Sequence, residues 1–141
     1  MDDFKQELAK LGILDDVIFT GYVSDAELIW LYRNCYANLY PSLFEGFGLP
    51  VLEGMQYGAA TITTNNSSLP EVAGGAARLL CADNQDAWIQ TMLSLAASPA
   101  ERELLQSAAL EQARKFSWSQ SAEQLISLYT EAYHTPKRNL S

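Results

Sequence analysis

Four Ser-x-x-Glu or Ser-x-x-Gln tetrads punctuate the chain, at Ser24–Glu27, Ser68–Glu71, Ser98–Glu101 and Ser117–Gln120. In such a tetrad the serine hydroxyl caps an orphan N–H at a helix start, and the longer side chain reaches back to the serine's own N–H. Pro70 and Pro99 fall in the first two helical positions, where a missing N–H matters least. Between the tetrads lie four short apolar runs: DVIFTG (16–21), CYANLY (35–40), AATITT (59–64) and AARLLC (76–81). They are strand-sized and continuous rather than alternating, the pattern of parallel strands covered on both faces. Leu28, Leu31, Tyr32 and Cys35 form one helical face between them, and Val51 to Tyr57 a further helix ended by Gly58. Beyond Asp83 only helical patterns remain. Trp88, Met92 and Leu95 line one helix, Leu104, Leu105 and Ala108 another, and Trp118 to Tyr133 a last one. The order predicts an α/β class: a doubly wound, mostly parallel sheet of about four strands, helices on both faces and a helical C-terminal part. It also predicts one domain over 1–134 and a frayed tail over 135–141.

With 141 residues, 48% of them hydrophobic, the chain is long enough to bury a core. No apolar stretch reaches the ~20 residues of a membrane span, and no leader pattern opens the sequence. A cytoplasmic protein is the expectation. A net charge of −8 without a basic stripe repels phosphate backbones, so nucleic acid is not an expected partner. A small anion remains compatible, because a helix N-terminus holds phosphate with backbone N–H groups. Cys35 and Cys81 lack metal or redox spacing and read as buried, reduced thiols. Trp30, Trp88 and Trp118 read as core residues on helical faces. His134 falls in the tail and is assigned no catalytic role.

The stretch PSLFEGFGLPVLEGM (41–55) departs from an ordinary strand–helix turn. It follows the strand ending at Tyr40, at the sheet edge where open α/β folds bind ligands. Gly46 and Gly48 allow a sharp bend and a close backbone approach. Pro50 fits the first turn of the next helix, which leaves N–H groups near Gly48 and Leu49 pointing outward with the positive end of the helix dipole. Glu45 projects from the loop and Glu53 from one turn into the helix. Ionised carboxylates only accept hydrogen bonds, so their partners are hydroxyls and other donors. A ligand with an anionic middle and hydroxyl-rich ends fits, and a nucleotide sugar is such a molecule. On spacing alone a plain turn, with glutamates placed to favour the dipole, fits as well. The NNSSLPEV segment (65–72) also follows a strand end; its polar groups are placed either to touch a ligand or to cap a helix.

The run YPSLFEGFGLPVLEGMQYGAATITTNNSSLPEV strongly resembles the donor-binding segment of retaining glycosyltransferases with the GT-B fold, the large family 4 group. The likeness extends from VIFTGYVSDAEL (17–28) to ARKFSWSQSAEQLISLY (113–129). Glu45 and Glu53 meet the family's Glu-x7-Glu pattern. The resemblance implies a Rossmann-like, donor-binding C-terminal domain and glycosyl transfer from a UDP-, GDP- or ADP-sugar to an acceptor hydroxyl, with retention at the anomeric carbon. It implies that Glu45 binds sugar hydroxyls near the reacting carbon and supports an oxocarbenium-like state, and that the backbone of Gly46, Phe47, Gly48 and Leu49 contacts sugar and diphosphate. Glu53 would take the ribose hydroxyls, and Tyr22 and Val23 would line the base pocket. It implies no metal and no other cofactor. Mannosyltransferase-like work in cell-envelope or exopolysaccharide assembly, at the inner face of a membrane, is the family-level expectation.

The likeness covers only the later part of the family's second domain. Absent are the N-terminal domain that binds the acceptor sugar, lipid or polysaccharide, the first two strands of the donor domain, and the basic pair that clamps the diphosphate. Arg33, Arg78 and Arg114 stand in the wrong places to replace that pair. The fragment alone is expected to be inactive or nearly so. In the family's strand order 17–20 would lie two strands away from 36–40, so either a rearranged sheet or pairing with a second copy through the exposed edge is expected. Two other function classes fit parts of the pattern: a non-catalytic α/β interaction or remnant domain, and a glycoside hydrolase with paired carboxylates.

Overall fold

The computed structural model describes residues 2–135; Met1 and 136–141, which hold most of the tail assigned above, lie outside them. Among the described residues, seven α-helices and three strands follow one another: α1 (Asp2–Lys10), α2 (Asp25–Asn34), β1 (Asn38–Tyr40), α3 (Leu49–Gln56), β2 (Thr61–Thr64), α4 (Leu69–Ala73), β3 (Arg78–Leu80), α5 (Gln85–Ala97), α6 (Pro99–Ala113) and α7 (Trp118–His134). The strands make one parallel sheet in the order β1-β2-β3, with Leu39 opposite Ile62 and Thr63 opposite Leu79. The α/β class and the parallel sheet agree with the sequence reading.

Three of the four tetrads cap their helices. Ser24 and Glu27 make the full reciprocal box at α2, with Ser24 N–H donating to Glu27 Oε2 at 2.8 Å. The Ser98 and Ser117 hydroxyls accept from the N–H groups of Glu101 and Gln120. Ser68 makes no cap bond at α4; its hydroxyl is engaged elsewhere, as described below.

β2 is the centre of the sheet, and all four of its residues are buried. On one side, Val51, Leu52 and Met55 of α3 pack with Leu69 and Val72 of α4 and Ala109 and Ala113 of α6. A second cluster joins Ile62 to Trp88 and Leu95 of α5 and Leu105 of α6. Burial of the valine, leucine, isoleucine and methionine side chains among them stabilises by about 1.5–3 kcal/mol each. The threonines of β2 are buried without penalty because each hydroxyl donates to a carbonyl: Thr61 to Ala59, Thr63 to Tyr40 and Thr64 to Ser42. Gly54 lets α3 lie close to β1, since a Cβ there would come within 2.5 Å of Asn38 Nδ2.

Several expectations are overturned. Residues 17–20 form no strand: they run without a β partner, and the sheet is not rearranged to take them in. A strand needs a ladder to satisfy its N–H and C=O groups, and no neighbouring strand of this chain reaches this segment. Its contact is instead with α1, a helix absent from the sequence reading, where Phe19 meets Phe4 edge-on at 6.2 Å and Lys5 Nζ lies 4.9 Å from the Phe19 ring centroid. Of the three tryptophans only Trp88 joins the core; Trp30 is 63% and Trp118 83% exposed. On α6 the buried positions are Leu105, Ala109, Gln112 and Ala113, while Leu104 faces solvent. None of the residues of α7 is buried, and His134 closes that helix rather than lying in a tail. Cys35 is only half-buried, and the exposed Cys81 thiol donates to Asp83 at 2.9 Å.

Candidate functional site

The loop 41–48 leaves β1 and enters α3, so it sits at the carboxyl edge of the parallel sheet. Its shape is imposed from the neighbouring β2–α4 connection. Thr64 Oγ1 donates to Ser42 O at 2.6 Å, and Asn66 Nδ2 donates to Leu43 O at 2.9 Å. Glu45 N–H donates to Ser67 Oγ at 3.1 Å, while Ser68 Oγ donates to Phe47 O at 2.7 Å. Ser67 holds a left-handed φ of 46°, uncommon for a residue with a side chain, and from there its hydroxyl reaches the loop. Asn66, Ser67 and Ser68 therefore do not cap a helix; they form the cradle of the loop.

Gly48 is the N-cap of α3 with φ 99°, and a Cβ there would lie 2.5 Å from Leu69 Cδ2. Both the conformation and the packing demand glycine. Gly46 has open space around it and no positive φ, so neither its conformation nor its packing within the chain requires glycine. Pro50 is in the first turn, and the Val51 and Leu52 N–H groups turn back to Gly48 O. Leu49 N–H has no intrahelical acceptor and lies at the positive end of the helix.

The half-buried Glu45 carboxylate receives two hydroxyl donors on one oxygen: Tyr40 Oη at 2.5 Å and Ser42 Oγ at 2.8 Å from Oε1. Donation from Tyr40, and then from Ser42, holds the Glu45 carboxyl below its ordinary value. The same bond, with some burial, pushes the Tyr40 phenol up to about 12. Glu53, one turn into α3, has its own tyrosine. Tyr32 Oη donates to Pro50 O at 3.3 Å, and its phenol is pushed up to about 12 by burial and then by the neighbouring negative charge of Glu53. The ring of Tyr32 stacks on Tyr57 at 6.3 Å, and the Arg33 guanidinium lies over the Tyr57 ring, 5.3 Å from its centroid. These tyrosines and Ser42 were not named as site residues from sequence. Tyr40 at a strand end and Ser42 three residues before Glu45 are the local signals that mark two of them; Tyr32 carries none.

Phe47 is half-exposed and meets Phe116 edge-on at 5.9 Å. It opens onto a groove of about 400 Å³ between α3 and the start of α7, lined also by Leu49, Glu53, Gln56 and Trp118. The structure thus brings Glu45, Gly46, Phe47, Gly48, Leu49 and Glu53 onto one corner. Tyr22 and Val23 lie in the loop before α2, Tyr22 at 96% exposure, and no hydrogen bond or ring contact among the described residues links them to that corner. Arg78 is engaged by Glu101 at 2.5 Å, away from the loop. Among the described residues no group of three His, Cys, Asp or Glu side chains is placed to hold a metal ion, and no helix is long and apolar enough to cross a membrane.

Comparison with known proteins bears on the family and the fold. The family described as "Glycosyl transferases group 1" matches residues 2–112. O-antigen chain mannosyltransferase B of Escherichia coli is 36% identical over 129 residues, which are 91% of this chain and 34% of that protein. The serotype-specific mannosyltransferase WbdA of Escherichia coli is 39% identical over 121 residues, which are 86% of this chain and 15% of that protein. The chain thus spans a minor part of the curated relatives it matches. Among solved structures, a sucrose-phosphate synthase from Thermosynechococcus elongatus superposes with a TM-score of 0.83 at 22% identity, over 92% of this chain and 33% of that one. At that identity the superposition speaks for the fold, and it supports the reading of this chain as a GT-B-type domain fragment.

Proposed function

The chain belongs to the glycosyl transferases of group 1, and from that premise we propose that it supplies the donor-binding part of a retaining, nucleotide-sugar-dependent glycosyltransferase. The observation that carries the reading is the corner itself: two carboxylates, each beside a tyrosine, flank a glycine-bearing helix N-terminus. Glu45 accepts hydroxyl protons of the sugar, Glu53 those of the ribose, and the diphosphate lies between them against the N–H groups at Gly48 and Leu49. Open space at Gly46 admits the sugar. In the transfer, Glu45 stays ionised and stabilises positive charge that develops at the anomeric carbon, a contribution that needs no movement of the side chain. Tyr22 and Val23 meet the base, and residues outside this chain bind the acceptor and complete the grip on the diphosphate. The mannosyltransferase relatives make a mannose-carrying donor the first to try.

Calorimetric titration of the chain with UDP-, GDP- and ADP-sugars tests this. Binding of one nucleotide class, weakened at least tenfold in Glu53→Ala, is the expected result. Equal binding of the wild-type and Glu53→Ala chains would remove Glu53 from the site.

A further inference from the structure

We propose that Tyr40 and Ser42 are positioning residues for Glu45, which together occupy one carboxylate oxygen, Oε1, and leave Oε2 as the single oxygen offered to a ligand hydroxyl. Tyr40 Oη and Ser42 Oγ both donate to Oε1, at 2.5 and 2.8 Å. Two donors satisfy that oxygen's lone pairs, whereas Oε2 has no protein donor among the described residues. A glutamate on a loop is otherwise free to rotate, and ordering it on ligand binding costs side-chain entropy.

Both donors are themselves fixed to the sheet centre. Tyr40 O accepts from Thr63 Oγ1 at 2.8 Å, and Ser42 O accepts from Thr64 Oγ1 at 2.6 Å. Two short relays, Thr63–Tyr40–Glu45 and Thr64–Ser42–Glu45, thus tie a loop carboxylate to the wholly buried strand β2. A functional group supported from a rigid element holds its geometry better than one supported by its own loop. The consequence is chemical selectivity. An ionised carboxylate with one oxygen engaged makes an acceptor-only contact through its other oxygen, so it reads the one or two hydroxyls that reach Oε2, and a sugar lacking them loses the contact.

The ligand side of this inference rests on the donor-binding reading of Glu45; the positioning side does not. Both are measured on the 141-residue chain as wild type, Tyr40→Phe, Ser42→Ala and Ser42→Thr. The Glu45 side-chain carboxyl is titrated by carbon NMR. Calorimetry is run with UDP-, GDP- and ADP-sugars and with the corresponding free nucleoside diphosphates. The expected result is a Glu45 midpoint that rises in Tyr40→Phe and in Ser42→Ala but is retained in Ser42→Thr, which keeps the hydroxyl. Nucleotide-sugar affinity should fall about 5- to 10-fold in Tyr40→Phe, as expected for one lost bond to a charged group, with diphosphate affinity unchanged. Equal Glu45 midpoints in wild type and variants would overturn the positioning role. An equal loss for nucleotide sugar and diphosphate would overturn the assignment of Oε2 to the sugar. Absence of binding by every nucleotide sugar would overturn the donor reading itself, and the carboxyl titration would then decide the positioning role alone.

Discussion

The hydroxyl of Ser68 donates to the carbonyl of Phe47 at 2.7 Å, so the start of α4 is fastened to the loop that leads into α3. The serine has the sequence context of a helix cap, yet its hydrogen is given to a segment 21 residues earlier. The loop's outline is therefore a property of two connections held together, rather than of the glycines alone.

Ser68→Ala is expected to lower stability by about 1 kcal/mol, since Phe47 O loses its donor. The measurement is the urea midpoint. Amide exchange should also quicken at Glu45, whose N–H is bonded to the adjacent Ser67 hydroxyl. An unchanged midpoint with unchanged exchange would show that the loop holds its own shape.

The two loop glycines should behave differently. Gly48→Ala places a methyl 2.5 Å from Leu69 Cδ2 at a φ of 99°, and a loss of about 1–3 kcal/mol follows from backbone strain. Gly46→Ala meets no atom within 4 Å, so its melting temperature should stay near wild type. Nucleotide-sugar affinity in Gly46→Ala should nevertheless fall, because the added methyl occupies the space assigned to the ligand. Thermal melts and calorimetry on both variants separate folding from binding.

Gln112 is a buried polar side chain that ties α6 to α4: Nε2 donates to Val72 O at 3.1 Å, and Lys115 Nζ donates to Oε1 at 2.8 Å. Gln112→Ala leaves the Val72 carbonyl without this donor, and a loss of about 1–3 kcal/mol in denaturant unfolding is expected. Donor binding should be unaffected, because α6 lies behind α3 rather than at the loop.

The Tyr40–Glu45 bond has a pH window set at both ends. The Glu45 carboxyl is held below its ordinary 4.5, so its contribution is present above that value and is lost as pH falls through the lower folded value. The Tyr40 phenol is raised from 10.0 to about 12, so its contribution is full below 10 and is lost as pH rises through about 12. The difference in melting temperature between wild type and Tyr40→Phe should therefore be largest near neutrality and shrink at both extremes. A difference independent of pH would assign the effect to packing of the ring.

Local chemistry determined much of this protein in advance. Capping is read from residues three apart, and accordingly α2, α6 and α7 begin where Ser24, Ser98 and Ser117 place them. The apolar runs at 35–40, 59–64 and 76–81 contain the three strands because continuous burial leaves its mark in composition. Glu45, the glycines and Glu53 stand within nine residues of one another, so the corner they make was legible as a pattern. Tertiary structure decided what depends on distant partners. Whether 17–20 pairs as a strand is set by which neighbour is there to receive its N–H groups, and an apolar run carries no record of that. Trp30 and Trp118 carry the same apolar signal as Trp88, but a helical face is buried only where another element covers it. The hold on Glu45 combines a nearby tyrosine and serine with Thr63 and Thr64, more than twenty residues further on. That convergence exists only once β1 and β2 lie side by side, because the hydrogen bonds that fix the loop run across the sheet rather than along the chain.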